Sequence, residues 1–297
     1  MISRENLKDM DWTEIELVVM EALLRRISLV DMPFALKGSL LTRQYLENPD
    51  IRYVGDIDFL YLEKITDVNQ AYKTFTNWMT QVTEMDLNDG IKFVSFQEYG
   101  YWRNIDYAMA DDFPTVNTYL AYYFTDEPRD PDEDYDEYDS VFLDISFNLE
   151  LDVKPVPLEY RTVYGDRFIV PYTIPLSVQV AWKLHQTIVR PRFKDLYDLK
   201  FLLSHPSYDH LDLQETLQTL VNECRMDQSI TKADMKKVLV DDLRGLYDSL
   251  SNDSDLKDFA GSQNKEEYFM QFVTDLRRVM DHAGINKNSF DHLPSPT

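Results

Sequence analysis

The sequence predicts an α+β protein in which a mixed sheet with flanking helices is followed by a helical C-terminal domain. Two observations lead to this prediction. In the first half, short stretches of alternating apolar and polar residues, typical of strands, are interspersed with helical patterns. After the proline-rich stretch at residues 153–175, nearly every segment has the helical period of about 3.6 residues. We therefore expect two domains, residues 1–165 and residues 166–297.

The individual elements follow from the same patterns. In the first domain we predict helices at about residues 12–30, 39–47 and 67–86, and strands at residues 54–62, 91–109, 115–124 and 140–148. In the second domain we predict helices at about residues 176–190, 195–204, 212–225, 231–250 and 265–283.

Composition restricts the classes of protein to which the chain can belong. Its single cysteine, Cys224, cannot form an internal disulfide, and no apolar run is long enough to span a membrane, so we expect a cytoplasmic protein. The net charge of −23 provides no long-range attraction to nucleic acid. Much of the acidity lies in residues 125–140, which we expect to form a solvated loop or a docking surface for a basic partner.

The stretch "VGDIDFLYL", residues 54–62, places Asp56 and Asp58 in an apolar strand. Residues two apart share a face, about 6.5–7 Å apart along the strand, so Ile57 and Phe59 take the opposite, buried face. Two close carboxylates repel unless a cation compensates, and Mg²⁺ prefers oxygen ligands of this kind. The pattern predicts a metal site, and a pair of ordinary surface aspartates is the alternative.

Two further segments carry residues of the same kind. In "LKGSLL", Gly38 and Ser39 lie at a predicted helix start, where glycine allows close approach and free N–H groups can hold a phosphate. The alternative is a serine helix cap after a turn glycine. In "FLDISF", Asp144 lies between apolar residues. If its strand is next to the first one, about 4.8 Å away, three carboxylates converge; otherwise Asp144 is an exposed or hydrogen-bonded aspartate.

The stretch "VAWKLHQTIVRPRFKDLYDLKFLL" contains a fourth group of charged residues. Lys183 and Arg190 fall on one face of a predicted helix, and Asp195 is placed to cap the next helix, with Asp198 one turn later. A cationic clamp for phosphate oxygens is one interpretation. Ion pairs between Lys183 and Asp198, or between Arg190 and Asp195, are the structural alternative.

Taken together, these motifs resemble a known family. "LKGSLLTRQYL" with "IRYVGDIDFLYL", then "FLDISF", then the lysine-containing stretch above are similar to the AbiEii/AbiGii toxin family, which has the nucleotidyltransferase fold shared with DNA polymerase β. The similarity spans about residues 34–203. It implies metal ligation by Asp56, Asp58 and Asp144, phosphate or nucleotide contacts from Gly38, Ser39 and Lys183, and a catalytic or supporting role for Asp195 or Asp198. The clamp interpretation adds Arg190 to the expected nucleotide contacts.

The resemblance also implies a function. We expect a bacterial nucleotidyltransferase that transfers a nucleoside monophosphate from a nucleoside triphosphate to an acceptor, with tRNA or another RNA as one option. Two Mg²⁺ ions would be bound during catalysis. Such a protein would be the toxin of a type IV toxin–antitoxin or abortive-infection system, with an antitoxin protein as partner and no membrane association.

Two other functions are consistent with the residues. The first is a catalytically weak or inactive protein of the same fold that binds a partner, which the strong acidity favours modestly because an acidic face suits a basic partner. The second is an aminoglycoside-type enzyme with a small cationic acceptor, which an acidic cleft would attract.

Overall fold

The computed structural model describes residues 1–105, 114–127, 138–227 and 229–291. The chain divides into two compact units. Unit 1 comprises residues 1–44 and 49–174, and unit 2 comprises residues 45–48 and 175–297. Most of the acidic stretch at residues 125–140 lies outside the described residues, so the loop expected there stays a prediction.

Unit 1 contains helices and strands in alternation. Its helices are α1 (Trp12–Ile27), α2 (Gly38–Thr42), α3 (Val68–Thr83) and α4 (Phe96–Tyr99). Its strands are β1 (Phe34–Lys37), β2 (Ile57–Tyr61), β3 (Ile91–Phe93), β4 (Arg103–Ile105), β5 (Thr115–Phe124), β6 (Ser140–Ser146), β7 (Val156–Tyr160) and β8 (Phe168–Thr173). Short 3₁₀ turns lie at Glu5–Leu7, Arg43–Tyr45 and Pro49–Ile51.

The described strands form one mixed sheet in the order β3-β5-β6-β2-β1-β8-β7, with β4 paired to β5. Strand β2 runs parallel to β6, and β1 runs parallel to β8. The other pairings are antiparallel. The mixed sheet predicted from the sequence is therefore present, and the strands at 54–62 and 140–148 are neighbours in it.

Aromatic packing fixes which face of β2 is buried. Ile57 and Phe59 are fully buried, and the Phe59 ring contacts Trp78 of α3 edge to face, with ring centroids 5.6 Å apart. Phe34 of β1 stacks on the same Trp78 ring at 3.6 Å. Because side chains alternate along a strand, this packing directs Asp58 to the opposite face.

The structure differs from the sequence-based prediction at two places in unit 1. Residues 91–109 are not one strand, because α4 separates β3 from β4, and residues 106–109 lie outside the described part. The proline-rich residues 153–175, for which no element was predicted, form β7 and β8. Strand β7 is at one end of the described sheet order, where a proline is tolerated because one edge of the strand makes no backbone hydrogen bonds to a neighbour. Pro171 of β8 lies at a register shift between β7 and β8, where regular pairing is interrupted.

Unit 2 is helical, as predicted. Its helices are α5 (Leu176–Val189), α6 (Phe193–Ser204), α7 (His210–Met226), α8 (Lys232–Met235), α9 (Leu243–Leu250), α10 (Ser254–Ala260) and α11 (Lys265–His282). In the described ranges of the chain, no helix combines the length and apolar character that a membrane span requires.

The helix predicted at residues 231–250 is interrupted. Thr231 begins α8 with a capping box, and the following 3₁₀ turn, Lys236–Leu239, ends at Val240, whose backbone is left-handed with φ of 47°. Asp242 then caps α9 by accepting a hydrogen bond from the Gly245 amide. Helix α10, which the sequence-based prediction missed, is likewise begun by an aspartate, Asp253. Local capping therefore divides this segment more finely than its apolar period indicates.

Candidate active site

Three aspartates of unit 1 converge on one face of the sheet. Asp58 on β2 is directly opposite Asp144 on the parallel strand β6. Asp56 lies just before β2 begins at Ile57, so of the two aspartates predicted in this strand only Asp58 belongs to it. One carboxylate oxygen from each of Asp56, Asp58 and Asp144 lies within 4.8 Å of the other two. Asp144 is buried, whereas Asp56 and Asp58 are half-buried. The three residues that the sequence suggested as metal ligands are thus placed together.

The donor set fits a divalent cation such as Mg²⁺. All three groups are carboxylates, the hard oxygen ligands that Mg²⁺ and Mn²⁺ prefer, and their oxygens are close enough for one ion to reach several of them. Three like charges at this separation repel one another, and a bound cation would offset that repulsion. Half-exposed Asp56 and Asp58 leave an approach for a ligand from solvent.

Gly38 allows the chain to pass close to this cluster. It lies at the first position of α2 with φ of 71°, a left-handed conformation that side chains other than glycine rarely adopt. A Cβ atom at this position would overlap the Asp58 carboxylate. Lys37, and not Ser39, occupies the cap position, and the start of α2 has no side-chain cap. The serine-cap alternative is therefore wrong, and a phosphate role for Ser39 stays a prediction.

Two residues that the sequence did not single out contact the carboxylates. Lys37 Nζ donates to Asp58 Oδ1 at 3.2 Å, and Asn117 Nδ2 donates to Asp144 Oδ1 at 2.6 Å. Lys37 is the strand partner of Asp58, and Asn117 on β5 is the strand partner of Asp144. An asparagine within the aromatic run "TVNTYLAYYF" was the available signal, because asparagine is disfavoured in strands unless it has a role there.

These contacts belong to a continuous polar row across the sheet. Paired positions on five neighbouring strands carry, in order, Arg103, Asn117, Asp144, Asp58 and Lys37. Directly opposed residues on neighbouring strands point to the same face. The carboxylates at the centre of this row are therefore flanked by a hydrogen-bond donor on one side and a cation on the other.

The second predicted group lies within unit 2 and has a different character. Lys183 Nζ on α5 contacts Asp198 Oδ2 at 2.7 Å and Asp195 Oδ1 at 3.2 Å, both on α6. Arg192 Nε contacts Asp195 Oδ2 at 2.6 Å. Asp198 is fully buried and Asp195 is 2% exposed. The ion pair between Lys183 and Asp198, which was the structural alternative, is thus present.

Two details of this network correct the sequence-based prediction. Asp195 does not cap α6, because the helix begins at Phe193 and places Asp195 in its first turn. The arginine paired with Asp195 is Arg192 and not Arg190, which is exposed at the end of α5. Burial alone would raise the pKa of Asp195, but the charges of Lys183 and Arg192 and their hydrogen bonds lower it below its usual value.

Comparison with known proteins places this arrangement in a recognised class. A family described as "Nucleotidyl transferase AbiEii toxin, Type IV TA system" matches residues 22–274. Among curated proteins, none matches the chain. Two solved structures are similar over nearly the whole chain: JHP933 from Helicobacter pylori, and MenT4, a nucleotidyltransferase toxin from Mycobacterium tuberculosis H37Rv.

The two structural similarities differ little in extent. JHP933 is 15% identical with a TM-score of 0.46, covering 95% of this chain and 98% of that chain. MenT4 is 12% identical with a TM-score of 0.50, covering 97% of this chain and 92% of that chain. The likeness to MenT4 shows a shared fold, that of nucleotidyltransferases. The family match spans most of the sequence, and the chain belongs to the AbiEii family of nucleotidyltransferase toxins.

Proposed function

We propose that this protein is a metal-dependent enzyme that transfers a nucleoside monophosphate from a nucleoside triphosphate to an acceptor. The observation that carries the proposal is the meeting of Asp56, Asp58 and Asp144 on one face of the sheet, with oxygens within 4.8 Å of one another. Membership of a nucleotidyltransferase family supports the reaction class.

In this proposal Asp56, Asp58 and Asp144 hold two divalent ions, with Mg²⁺ the expected metal. Bound divalent ions supply neutralisation of the charge on the α-phosphate and activation of the acceptor hydroxyl. Asn117 keeps the Asp144 carboxylate oriented through its hydrogen bond, and Lys37 does the same for Asp58. Both residues would act by fixing the geometry of the ligands before the substrate arrives.

The donor phosphates are proposed to bind beside Gly38 and Ser39. The missing side chain at Gly38 leaves the backbone next to Asp58 accessible, and Ser39 adds a hydroxyl donor in the same turn. Phosphate roles for Lys183 and Arg190, and catalytic or supporting roles for Asp195 and Asp198, remain predictions from the sequence. The ion pairs of Lys183 within unit 2 give that residue a structural role in any case.

Replacing two of the ligands tests the reaction class. Asp56→Asn with Asp58→Asn keeps the shape of both side chains but removes two charges, so incorporation of labelled nucleotide should be lost while the circular dichroism spectrum stays unchanged. Asp9→Asn with Asp31→Asn is the matched control, because it removes the same charge from two exposed sites. Transfer retained by the first double variant would refute the proposal.

The acceptor and the biological setting are part of the proposal. We propose RNA, with tRNA as the first candidate, as acceptor, and a toxin role in a type IV toxin–antitoxin system of a bacterial cytoplasm with an antitoxin as partner. Family membership supports the toxin role. Mass spectrometry of tRNA, protein and small molecules after incubation with the purified chain and mixed nucleotides would identify the acceptor through a mass increment on one class.

The net charge of −23 favours a second candidate function, that of an inactive partner-binding protein. Thermal unfolding with Mg²⁺ and each nucleoside triphosphate distinguishes the two. A ligand present at about 100 times its dissociation constant stabilises the folded state by about 2.7 kcal/mol, so an enzyme should melt at a higher temperature with at least one of the four. An unchanged melting temperature with all four would favour the binding protein.

A further inference from the structure

Next to the carboxylates, the same face of the sheet carries three aromatic side chains. Phe142 stands two residues before Asp144 on β6, and its strand partner on β5 is Tyr119. The Tyr101 ring contacts the Tyr119 ring edge to face, with centroids 5.2 Å apart. We call Tyr101, Tyr119 and Phe142 the aromatic shelf. Because residues two apart on a strand share a face, the shelf continues the face that carries the catalytic carboxylates.

Two of the three rings of the shelf are open to solvent although they are large. Phe142 is 45% exposed and Tyr101 is 37% exposed. Other aromatic residues of the same sheet, such as Phe34 and Phe59, are almost completely buried. A single exposed phenylalanine is common, but exposed aromatic rings clustered on one sheet face are typical of a binding surface.

An arginine belongs to the shelf. The Arg103 guanidinium lies 4.9 Å from the centroid of the Tyr101 ring and 5.8 Å from that of Tyr119, and it also donates to the Tyr101 hydroxyl. Arg103 is exposed and belongs to the polar row described above, two positions from Asp144. Flat rings with an adjacent guanidinium are the chemistry that binds a nucleobase and its phosphate.

The position of the shelf indicates which substrate it would contact. Gly38 and Ser39, the proposed site for donor phosphates, follow β1, on one side of the carboxylates in the sheet order. The shelf is carried by β6, β5 and the segment around β4, on the other side of Asp58. A group bound to the shelf therefore approaches Asp144 from the side opposite the donor phosphates.

We propose that the aromatic shelf binds the end of the acceptor by stacking an unpaired nucleobase on Phe142 and Tyr101, with Arg103 contacting an adjacent phosphate. This inference rests on the proposed function and names the acceptor as a single-stranded nucleic acid end. The positive charge of Arg103 opposes a cationic small molecule at the same place. Because the whole chain is strongly acidic, the affinity has to come from stacking more than from general attraction to phosphates.

Direct binding tests this proposal without catalysis. The probe is a fluorescently labelled single-stranded oligoribonucleotide of about six nucleotides, and its control is an abasic ribose-phosphate chain of the same length. The full-length protein should bind the first more tightly than the second. Phe142→Leu, which removes the ring but keeps an apolar side chain, should weaken binding of the oligoribonucleotide by about tenfold, and Tyr101→Leu should act in the same direction. Trp12→Ala removes an aromatic residue that is 48% exposed elsewhere in unit 1, and should leave binding unchanged.

Three results would overturn the proposal. The first is equal binding of the oligoribonucleotide and the abasic chain. The second is unchanged oligoribonucleotide binding by both Phe142→Leu and Tyr101→Leu. The third is that the two shelf variants bind the nucleoside triphosphate more weakly but the oligoribonucleotide as tightly as the parent. That result would assign the shelf to the base of the donor nucleotide.

The outcome is separable from that of the proposed reaction. Asp56→Asn with Asp58→Asn should abolish transfer yet still bind the oligoribonucleotide, because the shelf is intact. If transfer is abolished in that double variant while shelf variants bind normally, only the shelf proposal fails. If the double variant transfers normally while the shelf variants lose binding, only the metal-dependent reaction fails.

Discussion

In unit 1, three aspartates share one sheet face with their oxygens within 4.8 Å of one another, whereas in unit 2 two aspartates alternate with two cations. Asp56 and Asp58 of the first group are half-buried. Asp195 and Asp198 of the second group are 2% and 0% exposed. Both groups come from the same kind of sequence pattern, a pair of aspartates spaced along an apolar element.

The difference shows what separates a ligand site from a structural ion pair. A carboxylate packed among cations has its charge balanced inside the protein and needs no external ion. Carboxylates that face one another and remain accessible keep an attraction for a cation from solvent. Aspartate side chains are therefore expected to bind a metal ion in unit 1 and to form stabilising ion pairs in unit 2. Single substitutions in each group test this distinction.

The largest expected effect is on catalysis. Asp144→Asn preserves the hydrogen-bonding capacity towards Asn117 but removes one of the three charges, so transfer should fall by about 10³-fold or more through weaker metal binding. The measurement is the rate of labelled-nucleotide incorporation, with urea unfolding as a check. Stability should stay the same or increase, since like-charge repulsion is relieved. Activity within about threefold of the parent would remove Asp144 from the metal site.

The next effect is on stability in unit 2. Lys183→Met should lower the free energy of unfolding by about 3–5 kcal/mol, because Asp198 and Asp195 would be left buried with less compensation. Arg192→Met is the matched control, since the Arg192 side chain is 40% exposed and its loss should cost only about 1 kcal/mol. Urea unfolding measures both. A Lys183→Met protein of unchanged stability that has lost transfer would favour the phosphate-clamp interpretation.

A buried glutamate of unit 1, Glu21, extends the comparison, because Tyr160 and Val163 donate to it as neutral groups. Glu21 accepts hydrogen bonds from the Tyr160 hydroxyl and the Val163 amide, and burial raises its pKa from 4.5 to about 7. Its contribution to stability is therefore fully present below pH 4.5 and is lost as the pH rises through about 7. The total change is about 3 kcal/mol.

Glu21→Gln should remove this pH dependence. The stability of the variant relative to the parent should rise between pH 4.5 and about 7, the interval between the unfolded and folded pKa values. Urea unfolding at a series of pH values measures the slope. If the free energies of unfolding of the two proteins changed in parallel with pH, Glu21 would not titrate in this range.

The smallest effect is at the glycine beside the cluster. Gly38→Ala and Gly261→Ala both place a side chain at positive φ, 71° and 56°, which should cost about 1–2 kcal/mol in urea unfolding. Gly38→Ala should cost more than Gly261→Ala, because its Cβ also overlaps the Asp58 carboxylate. Gly261 has open space around it, so its variant reports the backbone cost alone. Only Gly38→Ala should also abolish the Mg²⁺-dependent rise in melting temperature, because its Cβ collides with Asp58. Equal responses to Mg²⁺ in both variants would contradict this.

Much of the fold could be predicted from the sequence because its signals are local. The two-residue period of "VGDIDFLYL" gave both the strand and the faces of Asp58 and Phe59, which the packing on Trp78 agrees with. Errors occurred where a local signal was overridden. No strand was predicted in the proline-rich residues 153–175, but an edge position and a register shift accommodate prolines there in β7 and β8.

The sequence by itself determined which face of β2 carries Asp58 and which helices carry an apolar stripe, since both depend on spacing along the chain. Only the tertiary structure decided that β6 lies beside β2, and that Asn117 and Lys37 complete the row through Asp144 and Asp58. Strand order depends on which distant surfaces pack best together, and the spacing of residues along the chain does not encode it.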